Sequence, residues 1–240
     1  MTDIIVLPDT GRWTLYTLGL MGTSKLDNVI KTNKIECYGT GAMITLFVSI
    51  GFTIPEIATL FQQTHLHHGV SPLSLSPSDN HSLSLSEISD QLHQAIEYRL
   101  GYIPTLIELE GITENSINFI SLSCDGTNMD IDVINSLTYP NVNCVEAILF
   151  TLPSQLAEGQ LEYGEKYYFS PLGFYDHDNT YTVCGNVESS NIEVHHYNML
   201  CKQKYKPKHY IEDKYTEETN VSKWDAMMYL KGIKNNMNVT

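Results

Sequence analysis

Two residue types that can act as nucleophiles flank a glycine turn near the N-terminus. Residues 36–42 read Glu-Cys-Tyr-Gly-Thr-Gly-Ala and include Cys37 and Thr40. A thiol or hydroxyl attacks an acyl group when a base lies beside it and backbone N–H groups stabilise the oxyanion. A sharp turn from a strand into a helix is the element that projects such a residue from a sheet. Gly39 and Gly41 suit such a turn before the apolar residues that follow.

The segment resembles the nucleophile elbow of patatin-like phospholipases. In that family a Gly-x-Ser-x-Gly-Ala turn leads into an apolar helix, and a Gly-Tyr-Ser/Thr-x-x-Glu-Ile motif follows that helix. Residues Gly51–Ile57 match the second motif here. Gly39 occupies the serine position, Cys37 replaces the first glycine, and Thr40 follows the apex. Glycine tolerates the strained turn and removes the reactive atom. The resemblance therefore implies a lipase-type fold without its nucleophile, and an ordinary glycine turn before a buried helix is the alternative.

Other parts of the family pattern are weaker. The apolar run 4–7 suits a buried strand, and the loop after it keeps only Gly11 of the family's oxyanion glycines. Residues 145–153 are similar to the family's Ala-Ser-x-Ala-x-Pro helix. The resemblance implies that Asp176 is the remnant of the dyad aspartate, with Asp125 as a rival that lies in the wrong order. We therefore expect no catalytic residue, with Gly11, Gly39 and Asp176 as vestigial positions.

Sequence periodicity and capping signals predict a mixed chain. Strands are expected at 4–7, 117–122 and 165–169. The capping boxes Thr53/Glu56 and Ser84/Glu87 predict helices towards His65 and to Leu100, the second ended by Gly101. A further helix is expected from Ser222 to Gly232. The predicted fold class is α/β and helix-rich, a small central sheet flanked by helices, with a predominantly α-helical chain as the alternative. Residues 1–200 are expected to form one domain and 201–240 a C-terminal arm.

Composition excludes several classes of function. The chain has 240 residues, 42% of them apolar, a formal net charge of −14 and a pI near 4.9. This charge argues against nucleic acid as a partner. The sequence has no run of apolar residues long enough to span a membrane and no signal peptide, so we expect an intracellular protein of the cytoplasm or nucleus.

One basic segment contrasts with the acidic chain. Lys202, Lys204, Lys206 and Lys208 alternate with other residues, and Tyr205 and Tyr210 lie among and beside them. Alternating lysines are common on solvated or edge strands. On an acidic protein such a strip suits contact with a second copy of the same chain. Contacts of this kind should fail in strong alkali, where tyrosines ionise and lysines lose their charge.

Cysteine and histidine spacing predicts no metal site and no cofactor. The five cysteines form no Cys-x-x-Cys pair and no zinc spacing with histidine. Their odd number leaves at least one thiol for an intermolecular bond, and Cys184 and Cys201 are the candidates for an intermolecular disulfide because they flank the Tyr- and Lys-rich region.

Three hypotheses about function follow. Size, acidity, expected location and a composition rich in Asn, Ile, Tyr and Lys resemble occlusion-body matrix proteins of insect viruses, the polyhedrin class, such as those of nudiviruses. That resemblance implies a non-enzymatic protein whose partner is itself, in a crystalline lattice that encloses virions. The second hypothesis is a patatin-like acyl hydrolase that uses Cys37 or Thr40. The third is a pseudoenzyme that binds lipid or a protein partner.

Overall fold

A computed structural model describes residues 4–7, 9, 14–24, 34–64, 66, 83–125, 129–152, 161–170 and 180–182. These residues form a mixed sheet with helices packed against it. The helices are α1 (Thr14–Ser24), α2 (Thr40–Ser49), α3 (Ile54–Thr64), α4 (Leu85–Leu100), α5 (Leu106–Thr113) and α6 (Cys144–Phe150). The strands are β1 (Ile4–Leu7), β2 (Lys34–Cys37), β3 (Ile117–Cys124), β4 (Met129–Ile134), β5 (Leu161–Tyr163), β6 (Lys166–Phe169) and β7 (Thr180–Thr182).

The sheet has a parallel part and an antiparallel part. Its strand order is β5-β6-β3-β2-β1-β7, and β4 also pairs with β3. The neighbours β7, β1, β2 and β3 run parallel, whereas β4 and β6 pair antiparallel with β3 and β5 pairs antiparallel with β6. Parallel strands end at the same edge of a sheet, so the residues that follow β1, β2 and β3 lie along one edge.

The helices form where the sequence signals them. Ser84 accepts a hydrogen bond from the Glu87 N–H while the Glu87 carboxylate accepts one from the Ser84 N–H, which starts α4. Gly101 ends that helix in the left-handed region, with φ 82°. α2 is different, because its residues from Thr40 to Val48 are all buried. A helix that is apolar all round belongs in a core, so α2 is the central helix of the domain.

The core joins α2 to the sheet and to the other helices. Phe47 of α2 meets Phe52 and Phe61 edge to face, at ring centroid distances of 5.2 and 6.3 Å. Arg99 of α4 lies 4.1 Å from the centre of the Phe52 ring and pairs with Glu56 of α3 at 2.8 Å. These contacts hold α2, α3 and α4 in one layer.

The structure confirms the α/β prediction, and the predominantly α-helical alternative is wrong. The strand predicted at 4–7 matches β1, that at 117–122 extends to Cys124, and that at 165–169 begins at Lys166. The helices predicted from Thr53 and Ser84 are α3 and α4. The sequence analysis missed four strands, because β2, β5 and β7 are three or four residues long and β4 alternates apolar and acidic residues. The predicted helix at 222–232 lies outside the described residues.

A polar and aromatic cluster ties the antiparallel strands together. The Asp132 carboxylate on β4 accepts hydrogen bonds from the Tyr139 hydroxyl at 2.6 Å and from Lys166 Nζ at 2.9 Å. The Tyr139 hydroxyl lies 2.9 Å from that of Tyr168, whose ring stacks on Phe150 at 4.5 Å. Burial opposes ionisation of Asp132, yet the bonds from Tyr139 and Lys166 hold its pKa below the ordinary value. Burial and the bond to Tyr139 raise the pKa of Tyr168 far above its usual range.

The first prediction concerns stability in alkali. Because the folded chain keeps the Tyr168 proton to a higher pH than the unfolded chain, this group stabilises the fold below pH about 10 and that contribution falls as the pH rises further. We expect the free energy of unfolding, from urea titrations, to fall between pH 9 and 11, and to fall less steeply in Tyr168→Phe. Tyr98, which is 85% exposed, is the control. An equal slope in Tyr98→Phe and Tyr168→Phe would contradict the prediction.

Candidate functional site

The parallel pairing of β1 and β2 brings Asp9 and Gly39 together. The register pairs Leu7 with Cys37, and the Tyr38 N–H donates to the Leu7 carbonyl at 3.1 Å. Asp9 and Gly39 each lie two residues beyond the Leu7–Cys37 pair, so they meet at the carboxyl edge of the sheet. Ligand sites of open α/β sheets form at this edge.

Gly39 forms the apex of the turn from β2 into α2. Its backbone angles are φ 59° and ψ −135°, which residues with a side chain rarely adopt. A Cβ atom on this residue would lie 2.8 Å from Asp9 Cγ and closer still to Asp9 Cβ. Glycine is therefore required for two reasons, backbone conformation and space. The Asp9 side chain fills the volume into which the side chain of a serine at position 39 would project.

Asp9 also holds the start of α2. One carboxylate oxygen accepts a hydrogen bond from the Thr40 hydroxyl at 2.9 Å and lies 3.4 Å from the Thr40 backbone N. The first turn of α2 has no acidic residue of its own, and Gly39 offers no side chain as a cap. Asp9, only 1% exposed, supplies the hydrogen-bond acceptor that the free N–H groups of a helix N-terminus need. In an active elbow the N–H after the nucleophile serves the oxyanion, whereas here it faces a carboxylate of the chain itself.

The apex is also tied to the end of α6. The Gly39 N–H donates to the Thr151 hydroxyl oxygen at 3.0 Å, and that hydroxyl donates to the Ile148 carbonyl at 2.7 Å. Thr151 is fully buried. The turn is therefore fixed from both sides, by Asp9 and by Thr151.

The two nucleophile candidates are enclosed. Cys37 is fully buried on β2, its Sγ lies 3.6 Å from the Asn118 carbonyl, and burial raises the pKa of its thiol far above the usual range. Thr40 is also fully buried, although its hydroxyl and the Asp9 carboxylate stand at the distance of a nucleophile and its base. Because Thr40 is fully buried, a substrate carbonyl could reach it only after the residues around it moved.

The other residues proposed from the sequence fall into two groups, those that the structure describes and those outside the described residues. Asp125 is exposed and directly follows β3, so it belongs to the same edge of the sheet as Asp9. Among the described cysteines, Cys37, Cys124 and Cys144 are free thiols, and burial raises the pKa of Cys144 to about 12. The residues whose placement is not described are Gly11, Asp176, Cys184, Cys201, Lys202, Lys204, Tyr205, Lys206, Lys208 and Tyr210.

Sequence reasoning missed the two residues that hold the elbow. Asp9 had one available signal, since an acidic residue two positions after an apolar strand lies at the edge of the sheet. Thr151 had none, because its role depends on where the end of α6 is packed.

In the part of the chain that the structure describes, no helix is long and apolar enough to cross a bilayer, and no three potential metal ligands cluster.

The second prediction tests the contact between Asp9 and Gly39. Gly39→Ala should lower the free energy of unfolding by more than Gly51→Ala, the matched control, because Gly51 has φ 92° but open space around its Cβ position. We expect about 1–3 kcal/mol of extra loss from overlap. Because Asp9→Gly removes the overlapping atoms, the cost of Gly39→Ala should be smaller in that background. Equal costs with and without Asp9 in urea unfolding would show that the overlap is unimportant.

No family model and no curated protein matches this chain at the level of sequence. Solved structures do match. The type III effector protein ExoU aligns with 92% of this chain at 13% identity and a TM-score of 0.43, and VipD from Legionella pneumophila aligns with 82% at 12% identity and a TM-score of 0.45. A chain of the heterodimeric ExoU–SpcU complex from Pseudomonas aeruginosa aligns with 91% of this chain at 11% identity and a TM-score of 0.45.

The matched part covers 52–54% of these chains, so this chain spans about half their length. The likeness concerns the path of the chain and assigns no role to any residue.

Proposed function

We propose that this chain is a non-catalytic protein with a lipase-type α/β fold, a pseudoenzyme that keeps the nucleophile elbow as a structural turn. One observation carries the proposal: the Asp9 side chain occupies the space beside Gly39 into which a nucleophile would project. In this proposal the glycine at position 39 is linked to a second feature of the site. The Asp9 side chain fills the space beside Gly39, and its carboxylate accepts a hydrogen bond from the Thr40 backbone N–H.

The burial of the alternative nucleophiles supports the same proposal. A thiol reacts as its thiolate, and a fully buried thiol whose pKa is raised holds almost none at neutral pH. The Thr40 hydroxyl donates to a carboxylate that also helps to fix the helix, so its use as a nucleophile would disturb the start of α2. The acyl hydrolase hypothesis thus requires a rearrangement of the best-anchored turn in the site.

The occlusion-body hypothesis is less favoured. It rests on length, charge and composition, and neither a described contact nor a comparison supports it. The lipase-type fold agrees better with a pseudoenzyme that binds lipid or a protein partner. Self-association, a lattice that encloses virions and an intracellular location stay predictions.

The third prediction is the absence of hydrolysis. The purified protein should not hydrolyse p-nitrophenyl butyrate or phosphatidylcholine vesicles above the rate in buffer, because both nucleophile candidates of the elbow, Cys37 and Thr40, are buried. Gly39→Ser should not restore activity, since the serine would overlap Asp9. Release of p-nitrophenol and of fatty acid is the measurement, with an active lipase as the positive control.

The same assay identifies the outcome that would overturn the proposal. Cys37→Ala, Thr40→Val and Asp176→Asn each remove one group that the hydrolase hypothesis needs. Turnover by the unaltered protein that is abolished by one of these changes would establish catalysis and name the residue responsible. Circular dichroism of each variant distinguishes a lost active group from a lost fold.

A further inference from the structure

Leu137 is an apolar side chain presented to solvent by a well-anchored turn. It is 89% exposed. The Asn135 side-chain oxygen accepts hydrogen bonds from the Leu137 and Thr138 N–H groups at 2.9 and 3.0 Å. The Asn135 amide nitrogen donates to Asn118 Oδ1 at 2.9 Å, and Asn118 is a buried residue of β3. The turn is thus fixed to the central sheet, and its leucine is held outward.

Helix α5 lies beside this turn. The Ile107 N–H donates to the Pro140 carbonyl at 3.3 Å, and the Ser136 hydroxyl donates to the Glu110 carboxylate. Ile107 is 56% exposed and lies one helical turn before Glu110, on the same face. Ile107 and Leu137 therefore flank the contact between Glu110 and Ser136. We call Ile107, Glu110, Leu137 and Pro140 the α5–turn surface.

The stretch of chain that contributes this surface carries charge of one sign. Residues 100–165 contain ten Asp or Glu and no Lys, Arg or His. The exposed carboxylates Glu108 and Glu114 lie on and directly after α5. Exposed apolar side chains with an acidic rim suit a partner segment that combines cationic heads with apolar or aromatic parts.

The sequence contains such a segment at 202–208, which reads Lys-Gln-Lys-Tyr-Lys-Pro-Lys. It holds four of the fourteen basic residues of the chain in seven positions. A lysine can lay its methylene groups on an apolar side chain while its ammonium group reaches a carboxylate. Leu137 and Ile107 are exposed, so their apolar side chains are available to such a segment of a second copy.

We propose that the α5–turn surface binds the basic segment 202–208 of a second copy of this chain. The lysine stems and Tyr205 cover Ile107 and Leu137, and the ammonium groups pair with Glu110 and its acidic neighbours. Each copy offers both the surface and the segment, so the contact can form a closed pair or continue from copy to copy. This inference goes beyond the proposed function and does not depend on the elbow.

The test measures self-association of the full-length protein. Sedimentation velocity from micromolar to high micromolar concentration should show a mass that rises with concentration and falls with added salt. Leu137→Gln and Ile107→Gln, which leave the charge unchanged, should weaken association about tenfold. Glu110→Gln should weaken it at low salt only. The matched controls are Ile131→Gln and Glu165→Gln, an exposed isoleucine on β4 and an exposed glutamate in the β5–β6 turn. They should leave association within about twofold of the unaltered protein.

A peptide experiment identifies the occupant. A fluorescent peptide with the sequence of residues 201–210, Cys201 replaced by serine, is titrated into the full-length variant in which all four lysines are glutamine. We expect saturable binding that Leu137→Gln weakens and Ile131→Gln does not. A protein that is monomeric at every concentration, or peptide binding that Leu137→Gln leaves unchanged, would overturn the proposal. Hydrolytic activity in the esterase assay would refute the pseudoenzyme proposal and leave this result unaffected.

Discussion

The close approach of Asp9 to Gly39 is the constraint on which the centre of the domain depends. It follows from the parallel register of β1 and β2, which places two chain segments side by side at the sheet edge. Because Gly39 has no side chain, the Asp9 carboxylate can reach the first N–H and hydroxyl groups of α2. α2 is buried along nearly its whole length, so the contact that fixes its start also orients the core around it.

The same contact stabilises the strained turn at Gly39. A nucleophile elbow is strained, and strain persists only where surrounding contacts hold it. Here those contacts are Asp9 on one side and Thr151 at the end of α6 on the other. The strained geometry thus has a structural use, to join β2, α2 and α6.

A different principle organises the antiparallel part of the sheet. There Asp132, Tyr139, Lys166 and Tyr168 form a chain of hydrogen bonds between β4, β6 and the turn after β4. The turn is also fixed through Asn135, and α5 packs against it. This anchoring holds the exposed apolar residues of the α5–turn surface in place, so the partner segment that we propose for it would meet a preorganised surface and lose less entropy on binding.

Local chemistry in the sequence determined the helix starts, the helix end at Gly101 and the apolar strands β1 and β3. Capping boxes and apolar runs act over a few residues, so they can be recognised without the fold. The glycine turn at 39 was also predictable, because its spacing is local. Only the tertiary structure decided what fills that turn. Asp9 is 30 residues from Gly39 and Thr151 is 112 residues away, and they meet it because strand register and helix packing bring distant segments together.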